Sequence, residues 1–385
     1  MDTHFYSLKM SCCESCKPKT KILAVIFDLD GTILDTERLT KGLLKEYLAK
    51  YGKEVDMERE EKKRMGMTQK ESAAAIVKDY ALPLTPDQYI KEITPMYSEK
   101  WLQAKPLPGA NRLMKHLHKH GVPFALASNS LREYIDAKIS LQKGWKEYFS
   151  VILGSDQVKS GKPSPDLFEE AAKRMGVTAT HSLVIEDSLV GVQAANAAKM
   201  KVVAVPSHSE TDCYALADSV LHSLLEFQPE QWGLPPFDDW VDNALPIEPI
   251  HVTIVSINGC VCEVIENGVS ALPDQIFGVY FGWVKVDPHK RFKVVVSIGW
   301  DQCSCISKRK FHICIIDGNI DCISGQQSQL TLVGYIRGLN SKDITSMTVE
   351  VLEEYKSVAN VSMDLPMFVH HSCEPLLSEA CAPED

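Results

Sequence analysis

Five short blocks of uninterrupted apolar residues punctuate the first half of the chain: ILAVIFDLD from Ile22, VPFALAS from Val122, SVILGSD from Ser150, SLVIED from Ser182 and KVVAVP from Lys201. Continuous rather than alternating hydrophobicity is the mark of strands covered on both faces, as in a parallel sheet. Helical periodicity fills the intervals, as in Asn111 to His120 ahead of Gly121, and Pro165 to Met175 ahead of Gly176. Glycine just past the last periodic residue is a common helix stop. The alternation of strand and helix predicts a doubly wound α/β sheet between Lys21 and Pro206.

One interval departs from this rhythm. From about residue 36 to residue 105 the pattern is helical with no strand candidate, as in LTKGLLKEYLAKYG, TQKESAAAIVKDY and TPDQYIKEITPMYSEKWL. A helical insertion directly after the first strand reads as a cap over whatever that strand presents. Within it, Gly66, Met67 and Thr68 open a helix. They either face a substrate leaving group or form an ordinary helix start with Thr68 as N-cap. After residue 225 the composition shifts to the Pro- and Trp-rich EFQPEQWGLPPFDDWVDNALPI, read as an ordered linker over 226–247. Beyond it, FGVYFGWVKV, RFKVVVSIGW, KFHICIID and SQLTLVGYI have the look of strands, with a helix at about Ser346 to Val358. The predicted organisation is a lead-in over 1–20, an α/β domain over 21–225, the linker, and a mainly β domain over 248–385.

Composition narrows the function classes. A chain of 385 residues exceeds the usual single domain. The net charge of -10 argues against nucleic acid or an anionic membrane surface as the partner. The chain has no apolar run of the roughly 18 residues a membrane helix needs, and no apolar core follows a basic start at the N-terminus. A cytoplasmic location is therefore expected. Of the twelve cysteines, eight lie beyond residue 259, without two paired C-x-x-C units. Free thiols are the simpler reading than a structural zinc site.

The chemistry is concentrated where the apolar blocks end. Asp28 and Asp30 close the first block, two residues apart and so on one side of an extended strand. Open α/β sheets bind ligands at the C-terminal ends of their strands. Gly31 allows a sharp turn and Thr32 can cap the next segment. Ser128 and Asn129 end the second block with a hydroxyl and backbone amides suited to phosphate oxygens. Lys162 comes after the third, ahead of the helix that begins near Pro165, and Glu186 and Asp187 end the fourth. Crowded carboxylates favour a hard divalent cation. Each piece alone is weak; the order along successive strands is not.

The segments DLDGT, ASNS, GKPSPD and VIEDS, with the helical insertion, resemble the four ordered motifs and the cap of the haloacid dehalogenase superfamily of phosphatases, over roughly residues 20 to 225. The resemblance implies that Asp28 attacks phosphorus and becomes an aspartyl phosphate, and that Asp30 serves as general acid and then base. It implies that Mg²⁺ is held by the Asp28 carboxylate, the Asp30 carbonyl oxygen and Asp187, with Glu186 nearby. Ser128, Asn129 and Lys162 would hold the transferred phosphoryl group.

The linker WGLPPFDDWVDNALPIEP and the pieces GVYFGW, VSIGW and LVGYIR resemble the plant bifunctional family that joins an FMN phosphatase to a riboflavin kinase. That resemblance implies a small kinase-like β-barrel and favours FMN as the substrate, with other small phosphorylated metabolites (sugar, polyol or nucleoside monophosphates) as alternatives. The expected glycine-rich phosphate loop and its Pro-Thr-Ala-Asn stretch are absent, since HVTIVSINGCVCEVIENGVSALPD has two isolated glycines. No glutamate occurs between Asn267 and Val349 to act as base, and Asp317 and Asp321 are acidic substitutes only in principle. A barrel without kinase turnover is expected, a working kinase with altered residues or a flavin-binding module being the alternatives.

Overall fold

The structure is a computed structural model that describes residues 21–56, 60, 63, 69–207, 215–258, 261–264, 272–287, 290–301, 308–316, 318, 327–339 and 349–369. The five apolar blocks form β1 (Ala24–Phe27), β2 (Phe124–Ala127), β3 (Val151–Leu153), β4 (Ser182–Glu186) and β5 (Lys201–Ala204). A sixth strand, β6 (Ser219–Val220), escapes the sequence pattern because it is two partly buried residues long. The strands run parallel in the order β3-β2-β1-β4-β5-β6, which puts β1 and β4 side by side at the centre.

Both faces of this sheet are covered, as continuous hydrophobicity predicts. Val25, Phe27, Leu126, Leu183 and Ile185 point to one face, where helix Ala110–Lys119 supplies Leu113, Met114 and Leu117. Ile26, Ala125, Ala127, Val184 and Val202 point to the other, against helices Asp166–Met175 and Leu189–Ala197. Period-two alternation within each strand assigns the side chains to these layers. The helix Asp166–Met175 begins one residue after Pro165 and stops at Gly176, whose φ of +72° closes the last turn.

The segment between β1 and β2 is helical: Thr36–Thr40, Leu43–Ala49, Gln69–Asp79 and Pro86–Trp101. The first predicted helix is split in two at Lys41 and Gly42. These helices bury a core of their own, with Leu44, Tyr47, Leu48, Ile76, Tyr89 and Ile93. The chain leaves and returns through paired backbone, Asp35 N–H to the Lys105 carbonyl and Leu107 N–H to the Ile33 carbonyl, both at 3.0 Å. Residues 66–68, read as a specificity segment, lie outside the described residues.

The second half is a closed barrel. Its strands are β7 (Leu245–Asn258), β8 (Val261–Val264), β9 (Gly278–Asp287), β10 (Lys290–Asp301), β11 (Lys308–Ile315) and β12 (Gln327–Arg337), in the order β10-β11-β8-β7-β12-β9. Tyr280, Val284, Val294, Val296, Phe311, Ile313, Leu330 and Leu332 fill the interior at alternate positions. Phe281, Val295 and Val333 face outward, where Tyr355 and Ala359 of the helix Val349–Ser362 cover them together with Phe368. The first barrel strand begins at Leu245, inside the stretch read as linker. The expected phosphate-loop stretch falls partly on 259–260 and 265–271, which lie outside the described residues, as do Asp317 and Asp321. Of the described cysteines, Cys262 is buried in the barrel core and Cys314 is half-buried. Among the described residues no helix is long and apolar enough to cross a membrane.

Candidate active site

Central placement of β1 and β4 brings their C-terminal ends together, and with them three carboxylates. Asp28, Glu186 and Asp187 are all buried and offer oxygens within 4.8 Å of one another. Lys162 enters from the loop after β3, donating to Asp28 Oδ1 at 2.5 Å and to Glu186 Oε1 at 2.7 Å. Thr32 bridges the remaining oxygens, its hydroxyl lying 3.2 Å from Asp28 Oδ2 and 2.9 Å from Asp187 Oδ1. Glu186 Oε2 accepts from the backbone N–H and hydroxyl of Ser188, at 2.8 and 3.0 Å, which fixes its orientation.

Electrostatics explains what such a cluster needs. Burial, opposed by Lys162 and aided by Glu186 and Asp30, pushes the Asp28 carboxyl up to about 7. Burial, with Glu37, Glu186 and Asp28 nearby, holds Asp187 well above the usual carboxylate range. Lys162 is held above its ordinary value, because Asp28 and Glu186 outweigh the effect of burial. Three carboxylates against one ammonium leave the pocket short of positive charge. A hard divalent cation with oxygen ligands fits this donor set.

Asp30 faces a different partner. Both of its oxygens accept from Lys138 Nζ at 2.8 Å. Oδ1 also accepts from Thr36 at 2.5 Å, and Oδ2 from Ser130 at 3.0 Å and Ser128 at 3.4 Å. Burial would raise its pKa, but Lys138 and these hydroxyls outweigh burial and hold it below the usual range. Its carboxylate is not part of the cluster formed by Asp28, Glu186 and Asp187.

Ser128 is buried at the end of β2, where its hydroxyl also accepts from the Ser130 N–H at 3.1 Å. Asn129 spends its side chain on Lys162: the Lys162 N–H donates to Oδ1 at 2.8 Å and Nδ2 donates to the Lys162 carbonyl at 3.1 Å. Asn129 thus ties the end of β2 to the backbone of the loop that carries Lys162.

Sequence reasoning missed Lys138, Ser130, Thr36 and Trp101. Lys138 is 5% exposed on the helix Arg132–Ile139, beside Ile135 and Ile139, and its ammonium lies 4.7 Å from the centre of the Trp101 ring at the end of the helix Pro86–Trp101. A lysine at a helix position between two core isoleucines was the available signal. The helical insertion meets the sheet domain at the same place: Trp101 packs on Tyr134 with centroids 5.2 Å apart, and Gln69 lies 3.4 Å from the Tyr134 hydroxyl.

Residues 25–205 match the haloacid dehalogenase-like hydrolase family, and residues 264–360 match riboflavin kinase. The chain is 42% identical over 368 residues to the bifunctional riboflavin kinase/FMN phosphatase of Arabidopsis thaliana, covering 92% of this chain and 97% of that relative. Shorter matches involve the phosphatase half. A probable pseudouridine-5'-phosphatase of Drosophila melanogaster is 39% identical over 57% of this chain and 97% of its own length. The (DL)-glycerol-3-phosphatase 1 of Arabidopsis thaliana is 38% identical over 57% of this chain and 76% of its own length. With a hydrolase sheet, an acidic cluster at its strand ends and a closed barrel in one chain, the protein belongs to the family of bifunctional riboflavin kinase/FMN phosphatases.

Proposed function

We propose that the protein hydrolyses a phosphate monoester with Mg²⁺ as cofactor, through an aspartyl phosphate on Asp28, and that FMN is the substrate and riboflavin the product. The observation that carries the mechanism is the Lys162 ammonium 2.5 Å from a buried Asp28 carboxylate beside Asp187 and Glu186. Asp28, the Asp30 carbonyl oxygen and Asp187 would hold the metal, with Glu186 close by; when bound it supplies charge neutralisation at the phosphoryl oxygens.

This chain's residues do the rest. An Asp28 carboxylate oxygen attacks phosphorus and the ester P–O bond breaks, the leaving oxygen taking a proton from Asp30. Water then attacks the phosphorus of the acyl phosphate and gives its proton to Asp30, which releases inorganic phosphate and restores Asp28. Lys162, Ser128 and the backbone at Asn129 hold the phosphoryl oxygens. Lys138, Ser130 and Thr36 orient Asp30 and stabilise the carboxylate it becomes once it has protonated the leaving oxygen, the form that then takes the proton of the attacking water. Helices over 36–105 act as the cap, residues 21–225 as the phosphatase unit and residues 248–385 as the kinase-like unit.

The barrel supports FMN as substrate, because the relative matched along both halves carries FMN phosphatase in its name. We read the barrel itself as lacking kinase turnover, since no glutamate lies between Asn267 and Val349. The near-equal identities to phosphatases named for pseudouridine-5'-phosphate and glycerol-3-phosphate favour a second reading, in which the phosphatase half takes a smaller ester.

One set of assays tests all three points. With Mg²⁺, the full chain is expected to release phosphate from FMN faster than from glycerol-3-phosphate or pseudouridine-5'-phosphate, and Asp28→Asn to release none. Turnover by Asp28→Asn refutes the nucleophile, and preference for a smaller ester selects the second reading. Formation of FMN from riboflavin and ATP in the Asp28→Asn background restores the barrel as a kinase.

A further inference from the structure

The turn after Asp28 is held from outside its own domain. Gly31 has φ +81°, and a Cβ there would lie 2.2 Å from Asp187 Oδ2, so residue 31 itself has no room for a side chain. Its N–H donates to the Leu34 carbonyl at 3.0 Å. Its carbonyl accepts, at 3.2 Å, from Nε2 of Gln275, a barrel-domain residue that is 6% exposed. The next residue, Thr32, is the one that bridges Asp28 and Asp187.

The segment that presents Gln275 is itself anchored in the barrel. Leu272 and Ile276 are buried in the barrel core. Arg309 of β11 donates to the Leu272 and Pro273 carbonyls at 3.1 and 2.9 Å and to Asp274 Oδ1 at 3.2 Å. Phe277 stacks on His222 with centroids 4.5 Å apart. The amide therefore reaches Gly31 from a braced support, with little freedom left to lose.

We propose that Gln275 is a positioning residue for phosphatase chemistry: the barrel reaches across the domain boundary and holds the Asp28–Thr32 turn so that Thr32 stays between the two carboxylates. The inference rests on the phosphatase reading above, and it assigns the barrel a task that requires no kinase turnover. Loss of one net hydrogen bond to a turn that must be ordered during reaction is expected to lower kcat about three- to tenfold.

The test uses the full chain, p-nitrophenyl phosphate and Mg²⁺. Gln275→Met keeps the length and removes the donor; Gln275→Asn keeps the donor but stops one methylene short. Both are expected to lower kcat about three- to tenfold, with KM and melting temperature unchanged. Hydrogen exchange is expected to quicken over residues 28–36 and not over the helix Leu189–Ala197. Wild-type kcat in both variants overturns the proposal. So does a loss of kcat that tracks a loss of folded protein, with exchange raised throughout, because Gln275 would then be merely structural. An inactive wild-type chain, or an active Asp28→Asn chain, instead sinks the phosphatase reading, and this inference with it.

Discussion

Leu224 and Leu225 are neighbours in the chain but belong to different cores: Leu224 packs with the sheet residues around Phe27 and Leu113, while Leu225 packs inside the barrel with Tyr280 and Tyr335. Successive side chains leave the short 3₁₀ turn Leu224–Glu226 in different directions, so one turn is shared by both domains. Arg112, paired with Asp239 at 2.7 Å by two nitrogens, and Asn111, 2.9 Å from Glu248, reinforce the same junction.

Truncating either leucine should therefore weaken the junction as well as its own core. Leu224→Ala and Leu225→Ala are each expected to cost about 2–5 kcal/mol, the range for a buried leucine cut to alanine. The wild-type chain should melt in a single transition. Two well-separated calorimetric transitions in the wild-type protein would contradict mechanical coupling through this turn.

Metal binding should matter more for stability as pH rises. Asp28 has a folded pKa raised from 3.8 to about 7, so without metal its contribution to stability is fully present below pH 3.8 and is lost as pH climbs through about 7. Asp187, also raised, acts in the same direction. Divalent cation replaces those protons, and its affinity increases as they leave. Melting temperatures with and without Mg²⁺ are expected to diverge steadily between about pH 4 and 7. A gap that is constant, or that narrows with rising pH, would be incompatible with metal binding at these carboxylates.

Lys138→Met should act through Asp30. Asp30→Ala is expected to lower kcat by about 10²- to 10⁴-fold, the range for a general acid or base. Lys138→Met should lower it at least about tenfold, because the half-buried Asp30 loses the ammonium that orients it and stabilises the carboxylate formed when it protonates the leaving oxygen. If the lysine works through the aspartate, the double variant will be no slower than Asp30→Ala alone. Multiplying effects in that cycle would show that Lys138 serves some other group.

Gly31→Ala tests the tightness of the catalytic turn. The new methyl would fall 2.2 Å from Asp187 Oδ2 on a backbone with φ +81°. The left-handed strain alone is expected to cost about 1–3 kcal/mol, and displacement of Asp187 should remove turnover. A folded variant that turns over at the wild-type rate would mean that the loop opens easily, contrary to the packing seen.

The strand blocks, the helical insertion and the residues at the strand ends were legible because local rules governed them. A strand buried on both faces must be apolar throughout; Asp28 and Glu186 stand where such strands end, and Lys162 in the loop that follows one. The split at Gly42 and the two-residue β6 were not legible: one is a break within good helical pattern, the other too short to carry a period.

The amino-acid order determined which chemical groups this protein owns and at which strand ends they emerge, since hydrophobic period and turn residues act over a few positions. Which group meets which was decided by the tertiary structure alone. The Lys162–Asp28 contact joins residues 134 apart, Lys138 meets Asp30 across 108 positions, and Gln275 reaches Gly31 across 244. Such pairings arise from strand order and domain docking, which no local periodicity encodes.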